Sequence, residues 1–139
     1  MWVVVKYKTN ELNYLMENLI KSYGQTVKFY IPKIKYQKYV GSKLKTIEKF
    51  ILGNYLIFHH DKFADDNILA KLQYTKGLQC ILKNFKFNKE EIKNFINNFK
   101  KFEDKNGYLT QPFFNNFYLK KDKFINGPFT NMVFSLISE

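Results

Sequence analysis

The longest apolar run of the chain is Phe50-Ile51-Leu52-Gly53-Asn54-Tyr55-Leu56-Ile57-Phe58, interrupted only by Gly53-Asn54. It is too short to cross a bilayer, and its length suits a buried central strand. Gly53 has no side chain to pack and marks a bulge, a bend or a close backbone approach. Strand side chains alternate, so Tyr55 and Ile57 share one face and Leu56 and Phe58 the other. Helices are expected to cover one face of a small sheet. The face carrying Tyr55 and Ile57 is then an apolar surface open to a partner.

A chain of 139 residues suits one domain with a modest appendage. With 45% apolar and 19% aromatic residues it can fill a core, which excludes general disorder. All 23 basic residues are lysines, and the net charge of +11 favours polyanions, meaning nucleic acid or an anionic membrane. Lysine suits phosphate neutralisation, whereas the commonest specific base contact needs the arginine fork. Heavy use of Lys, Asn, Ile and Phe also fits an AT-rich genome, which explains part of the charge. A single cysteine, Cys80, excludes an internal disulfide and fits a reducing compartment. The apolar start at Trp2–Val5 is too short for a signal peptide, and nothing reads as a membrane span, so the expected location is cytoplasmic.

Trp2–Tyr7 is a strand by propensity. Thr9 or Asn10 is placed to cap a helix whose inner face is Leu12, Leu15, Met16, Leu19, Ile20 and Tyr23, ending at Gly24. Residues 27–34 read as a second strand, with Pro32 near its end. Lysines 33, 35, 38, 43, 45 and 49 then flank a Gly41-Ser42 turn, giving a basic hairpin or loop with Tyr36 and Tyr39 interleaved. Such a stretch can stack on bases and neutralise phosphates, though a solvated hairpin without a ligand has the same composition. Residues 65–72 read as a short helix and 78–82 as a strand. Asn88, with Glu91 three residues later, opens a helix lined by Ile92, Phe95, Ile96, Phe99 and Phe102.

Several of these residues together resemble the N-terminal domain shared by NusG and its paralogue RfaH. That family has a Phe-Pro-Gly-Tyr or Phe-Pro-Asn-Tyr core followed by apolar residues and an Asp. Here the stretch is Leu52-Gly53-Asn54-Tyr55-Leu56-Ile57-Phe58, then Asp61, with Gly53 in place of the proline and Leu52 in place of the phenylalanine. The opening Trp2 strand, Pro32, and Thr75-Lys76-Gly77-Leu78 in place of the family's Thr-Arg-Gly-Val element agree in order. Lys76 keeps the charge of the family's arginine and loses its planar fork. The resemblance covers roughly residues 2–102. It implies an α+β fold, a four-stranded, mainly antiparallel sheet flanked by helices, as a domain over residues 1–104.

Residues 105–139 are expected to be a linker and an incomplete KOW-like segment. Lys123-Phe124-Ile125-Asn126-Gly127-Pro128-Phe129 resembles the start of a KOW motif, and 18 residues remain from Asp122 (139 − 121), enough for one hairpin. Residues 113–137 are expected to dock on the main domain.

The resemblance implies a transcription elongation and antitermination factor without catalysis or cofactor. Its partners would be the clamp helices of the RNA polymerase largest subunit, the non-template DNA strand near the upstream fork, and RNA. The polymerase patch carries over to Leu52, Gly53, Tyr55 and Ile57. The DNA contacts carry over to Lys8, Lys21 and Lys76, whereas the aromatic and glutamine-type base readers of the RfaH group are not evident, Asn18 and Ser22 standing at those positions. Lys35 and Lys38 of the basic hairpin join the nucleic-acid set on their composition. The alternative is a non-catalytic module for RNA or single strands, although the aromatic signature of the common RNA-binding fold is absent.

Enzyme chemistry has little support in the sequence. Adjacent His59 and His60 point to opposite faces of a strand and do not readily share a metal. Asp65-Asp66 and Glu90-Glu91 stand at helix starts, where the dipole favours carboxylates. Cys80 reads as a packed thiol, and no glycine-rich phosphate loop is present.

Overall fold

The structure, a computed structural model, describes residues 1–82 and 89–113. The chain divides into two compact units, Met1–Tyr30 with Asn54–Lys89, and Ile31–Gly53 with Glu90–Glu139.

The first unit is an antiparallel sheet with helices. Its strands are β1 (Trp2–Tyr7), β2 (Lys28–Tyr30), β5 (Tyr55–His59) and β6 (Leu78–Ile81), in the spatial order β2-β5-β1-β6. The apolar run supplies a central strand, as its composition requires: Val4 faces Ile57 and Val5 faces Leu56 across β1 and β5. The run is not one strand, however. Gly53 adopts φ +60° and its N–H donates to the Phe50 carbonyl at 3.2 Å, so a turn separates Phe50 from Tyr55. Leu56, Ile57 and Phe58 are all 0% exposed, so β5 is buried on both faces. This corrects the expectation of an open apolar face at Ile57.

Helix α1 (Leu12–Tyr23) buries Leu15 and Leu19 and ends at Gly24, whose N–H reaches the Ile20 carbonyl at 2.7 Å. Its start differs from expectation. Asn10 takes a left-handed turn at φ +66°, and Glu11 occupies the cap position without a side-chain cap bond. On the Phe58 face, Phe63 stands edge-on to both Phe58 (5.3 Å between centroids) and Tyr23 (4.9 Å), joining sheet, helix and the 3-10 turn Asp61–Ala64. Helix α2 (Asp66–Leu72) is capped by Asp65, which accepts the Asn67 N–H at 2.9 Å.

The second unit begins at Ile31, and the break at Ile31-Pro32 splits the stretch expected as one strand over 27–34. Proline cannot donate to a ladder. Strands β3 (Lys33–Val40) and β4 (Lys43–Phe50) form a regular antiparallel hairpin around Gly41. Helix α3 (Lys89–Lys100) buries Ile92, Phe95, Ile96 and Phe99 at the spacing read from the sequence, whereas Phe102, expected on the same face, lies in the turn beyond it; Phe113 stands edge-on to Phe99 at 4.7 Å. The residues expected as a linker form a structured turn instead. Asp104 Oδ1 accepts the N–H groups of Asn106 and Tyr108, and Thr110 Oγ1 donates to the Phe102 carbonyl at 2.6 Å. The Asn88 cap and the KOW-like segment after Phe113 lie outside the described residues. Among those described, no helix is long and apolar enough to cross a membrane.

Candidate nucleic-acid interface

The turn Gln73–Gly77, between α2 and β6, is fixed by backbone bonds. Tyr74 and Thr75 donate to the Lys71 and Leu72 carbonyls at 3.1 and 3.0 Å, and Leu78 donates to Thr75 at 3.2 Å. Gly77 has φ +93°, and a Cβ there would stand 3.1 Å from the Cβ and backbone nitrogen of Leu15. Glycine is therefore required twice over, for its dihedral and for the close approach of α1. That approach sets Lys76 against the helix, where the Asn18 side-chain amide donates to its carbonyl at 3.4 Å.

An open groove of about 330 Å³ results, lined on α1 by Asn18, Ser22 and Tyr23 and on the other wall by Lys71, Tyr74, Thr75 and Lys76. Two lysines give it a positive wall, and Asn18 and Ser22 add amide and hydroxyl groups. Tyr74 is 79% exposed, a ring held at the surface with no packing role of its own. Burial pushes the Tyr23 phenol above its ordinary value of 10.0, so it stays a neutral donor. The arrangement offers phosphate neutralisation, a stacking ring and short polar groups, the combination that single-stranded nucleic acid needs.

Of the lysines singled out by sequence, Lys76 lines the groove. Lys8 lies beside it: its N–H donates to the Gly77 carbonyl at 2.9 Å. Lys21 is exposed on α1, next to Ser22. Sequence reading missed Lys71 and Tyr74. An exposed aromatic between two lysines was the available signal, and the helix-to-strand turn hid it.

The polymerase patch fares differently. Leu52 and Ile57 are 1% and 0% exposed, so neither offers surface, which corrects the expectation for both. A continuous apolar run can be buried on both sides, and alternation alone does not say which side is open. Gly53 is exposed in its turn, and Tyr55 is half-buried at the start of β5, paired with Lys6.

Lys35 and Lys38, treated alike from sequence, lie on opposite faces of the hairpin. Lys35 extends over the Tyr108 ring, 5.4 Å from its centroid, alongside Lys33 at 4.7 Å. The Tyr108 hydroxyl donates to Glu48 at 2.7 Å. Lys38 is exposed on the other face, directly opposite Lys45.

The histidines have structural partners. His60 is buried; its Nδ1 accepts the Lys62 N–H at 3.0 Å, leaving Nε2 to donate to Thr26 Oγ1 at 2.8 Å. His59 packs edge-on to Trp2, and burial is the main cause that lowers its pKa below 6.5. Cys80 is exposed on the edge strand β6, not packed as expected, since edge strands bury less of each residue. Among the described residues no group of three His, Cys, Asp or Glu could hold a metal ion. No protein-family model matches this chain, and no curated protein matches it.

Proposed function

We propose that the chain is a non-catalytic transcription elongation factor of the NusG type. Its groove holds the displaced non-template DNA strand, and the Tyr55 end of its sheet docks on the clamp helices of RNA polymerase. The observation that carries this reading is the groove. Lys76, carried over by the resemblance, lines it beside Lys8, and Asn18, Ser22 and Tyr74 add polar groups and a ring. Lysines supply affinity for phosphate, and without arginine the contact positions a strand more than it reads a sequence. Tyr55 suits a half-buried anchor, having a large ring and a polar tip.

A pull-down with RNA polymerase core tests the reading. The parent chain is expected to bind, and Tyr55→Ala to lose binding while keeping its affinity for a free single strand. Tyr74→Ala with Lys76→Gln is expected to keep polymerase binding and to weaken, without abolishing, binding of a free single strand. Failure of the parent to bind polymerase overturns the assignment. One observation favours a second reading, a single-strand-binding module that acts without polymerase: burial of Leu52 and Ile57 leaves little apolar surface for a docked helix pair.

A further inference from the structure

The hairpin of the second unit has two chemically different faces. Directly opposed residues of an antiparallel pair lie on the same face. One face carries Lys33, Lys35, Gln37 and Tyr39 from β3, with Leu44, Thr46, Glu48 and Phe50 from β4. Its charges are satisfied within the molecule. Lys33 lies 4.0 Å from Glu48, both Lys33 and Lys35 sit over Tyr108, and Tyr108 donates to Glu48.

The other face carries Ile34, Tyr36, Lys38 and Val40 opposite Lys49, Ile47, Lys45 and Lys43. It holds four lysines and no acidic residue. Lys38 and Lys45 are directly opposed, an arrangement that costs a hairpin stability, because like charges there stand about 5 Å apart at Cβ. Nothing in the pairing of the strands requires it. Tyr36 and Val40, 40% and 47% exposed, lie among these lysines.

The geometry points to this face as a binding surface for a single-stranded nucleic acid, separate from the groove and independent of any polymerase contact. Lys38, Lys43, Lys45 and Lys49 would neutralise phosphates, and Tyr36 would stack on a base. Along the strand, Lys43, the Lys38–Lys45 pair and Lys49 fall over about 20 Å, from a rise of about 3.3 Å per residue. Such a ladder tracks a backbone several nucleotides long. A single strand is favoured over a duplex because a duplex keeps its bases inside. It would meet the lysines and leave Tyr36 and Val40 uncovered, whereas unpaired bases cover aromatic rings. Lys35, by contrast, is held on the other face.

The test is a salt titration of the full chain against a labelled oligo-dT of about 15 nucleotides, a length within the usual range for one such site. The variants are Lys38→Gln with Lys45→Gln, Lys43→Gln with Lys49→Gln, and Tyr36→Ala. Each lysine pair is expected to make the slope of log K against log salt shallower by about 1.4, at about 0.7 per phosphate contact. Tyr36→Ala is expected to weaken binding roughly tenfold without changing the slope. The Lys38 and Lys45 change relieves a repulsion, so its melting curve is expected to match or exceed the parent's, which separates lost binding from lost folding. The same slope changes on a Lys76→Gln background distinguish this face from the groove. The proposal is overturned if neither lysine pair alters the slope. Tighter binding of the parent to a blunt duplex of equal length, or to phosphatidylserine vesicles, overturns it as well.

Discussion

Strands β4 and β5 are consecutive in the chain, separated only by the turn after Phe50, and they meet opposite fates. β5 (Tyr-Leu-Ile-Phe-His) lies between two neighbours and is buried through its centre on both faces. β4 (Lys-Leu-Lys-Thr-Ile-Glu-Lys-Phe) has one partner strand and is mostly exposed. Both are regular strands, so strand formation does not decide what a strand is for. The number of sheet neighbours and the continuity of the apolar pattern do, since a strand paired on both edges and apolar throughout can be covered on both faces. In this molecule the interior strand supplies stability, and the hairpin is free to carry charge that no core would tolerate.

The sharpest way to break that contrast is to truncate one ring in each strand pair. Phe58 is fully buried and in ring contact with Phe29 and Phe63. Phe58→Ala is expected to cost about 3–5 kcal/mol in urea unfolding, from lost transfer energy and the cavity left behind. Tyr39 in the hairpin is 71% exposed, and Tyr39→Ala is expected to stay within about 0.5 kcal/mol. Equal losses would mean that the hairpin is as deeply built into the fold as β5.

A smaller effect sharpens the comparison at two glycines. Gly77 and Gly53 both have positive φ, so alanine is strained at either, by about 1–2 kcal/mol. At Gly53 nothing lies within 4 Å of the added Cβ, whereas at Gly77 it meets Leu15 at 3.1 Å. Gly77→Ala is therefore expected to lower the urea midpoint more than Gly53→Ala, and also to weaken single-strand binding by displacing Lys76 from α1. Equal midpoints would show that α1 shifts freely and that the groove is not held by this contact.

These cases show which parts of the molecule were legible in the sequence. The order of elements, the α1 and α3 faces, the acidic start of α2 and the Gly41 turn follow from local periodicity and turn chemistry, which a sequence displays directly. The basic stretch was legible as a hairpin or a loop. Its division into a satisfied face and a free one was not, because it depends on Tyr108, some sixty residues beyond Glu48. The same limit applies to Leu52 and Ile57. Alternation assigns residues to faces, but whether a second layer covers a face is a long-range property. At the groove, Lys76 was found by resemblance. Tyr74 was not, because its importance comes from the neighbouring wall and not from its own segment.

The subtlest probe concerns how the hairpin's satisfied face is held. The Tyr108 phenol lies above its ordinary value of 10.0, chiefly because its hydroxyl donates to Glu48, with burial and the nearby carboxylate charges adding to the effect. A group whose folded value is raised contributes stability that is fully present below pH 10 and is lost as the pH rises through the folded value. Tyr7 and Tyr23 are raised as well, by burial alone, so all three should ionise late in an alkaline titration followed at 295 nm. Glu48→Gln removes the charge that holds the Tyr108 proton and is expected to bring one late tyrosine back toward 10.0, leaving the other two in place. Tyr108→Phe is expected to delete that same late ionisation. An alkaline curve unmoved by Glu48→Gln would mean that Tyr108 does not clamp this face. Lys33 and Lys35 would then be as free as Lys38, and the two faces of the hairpin would no longer differ.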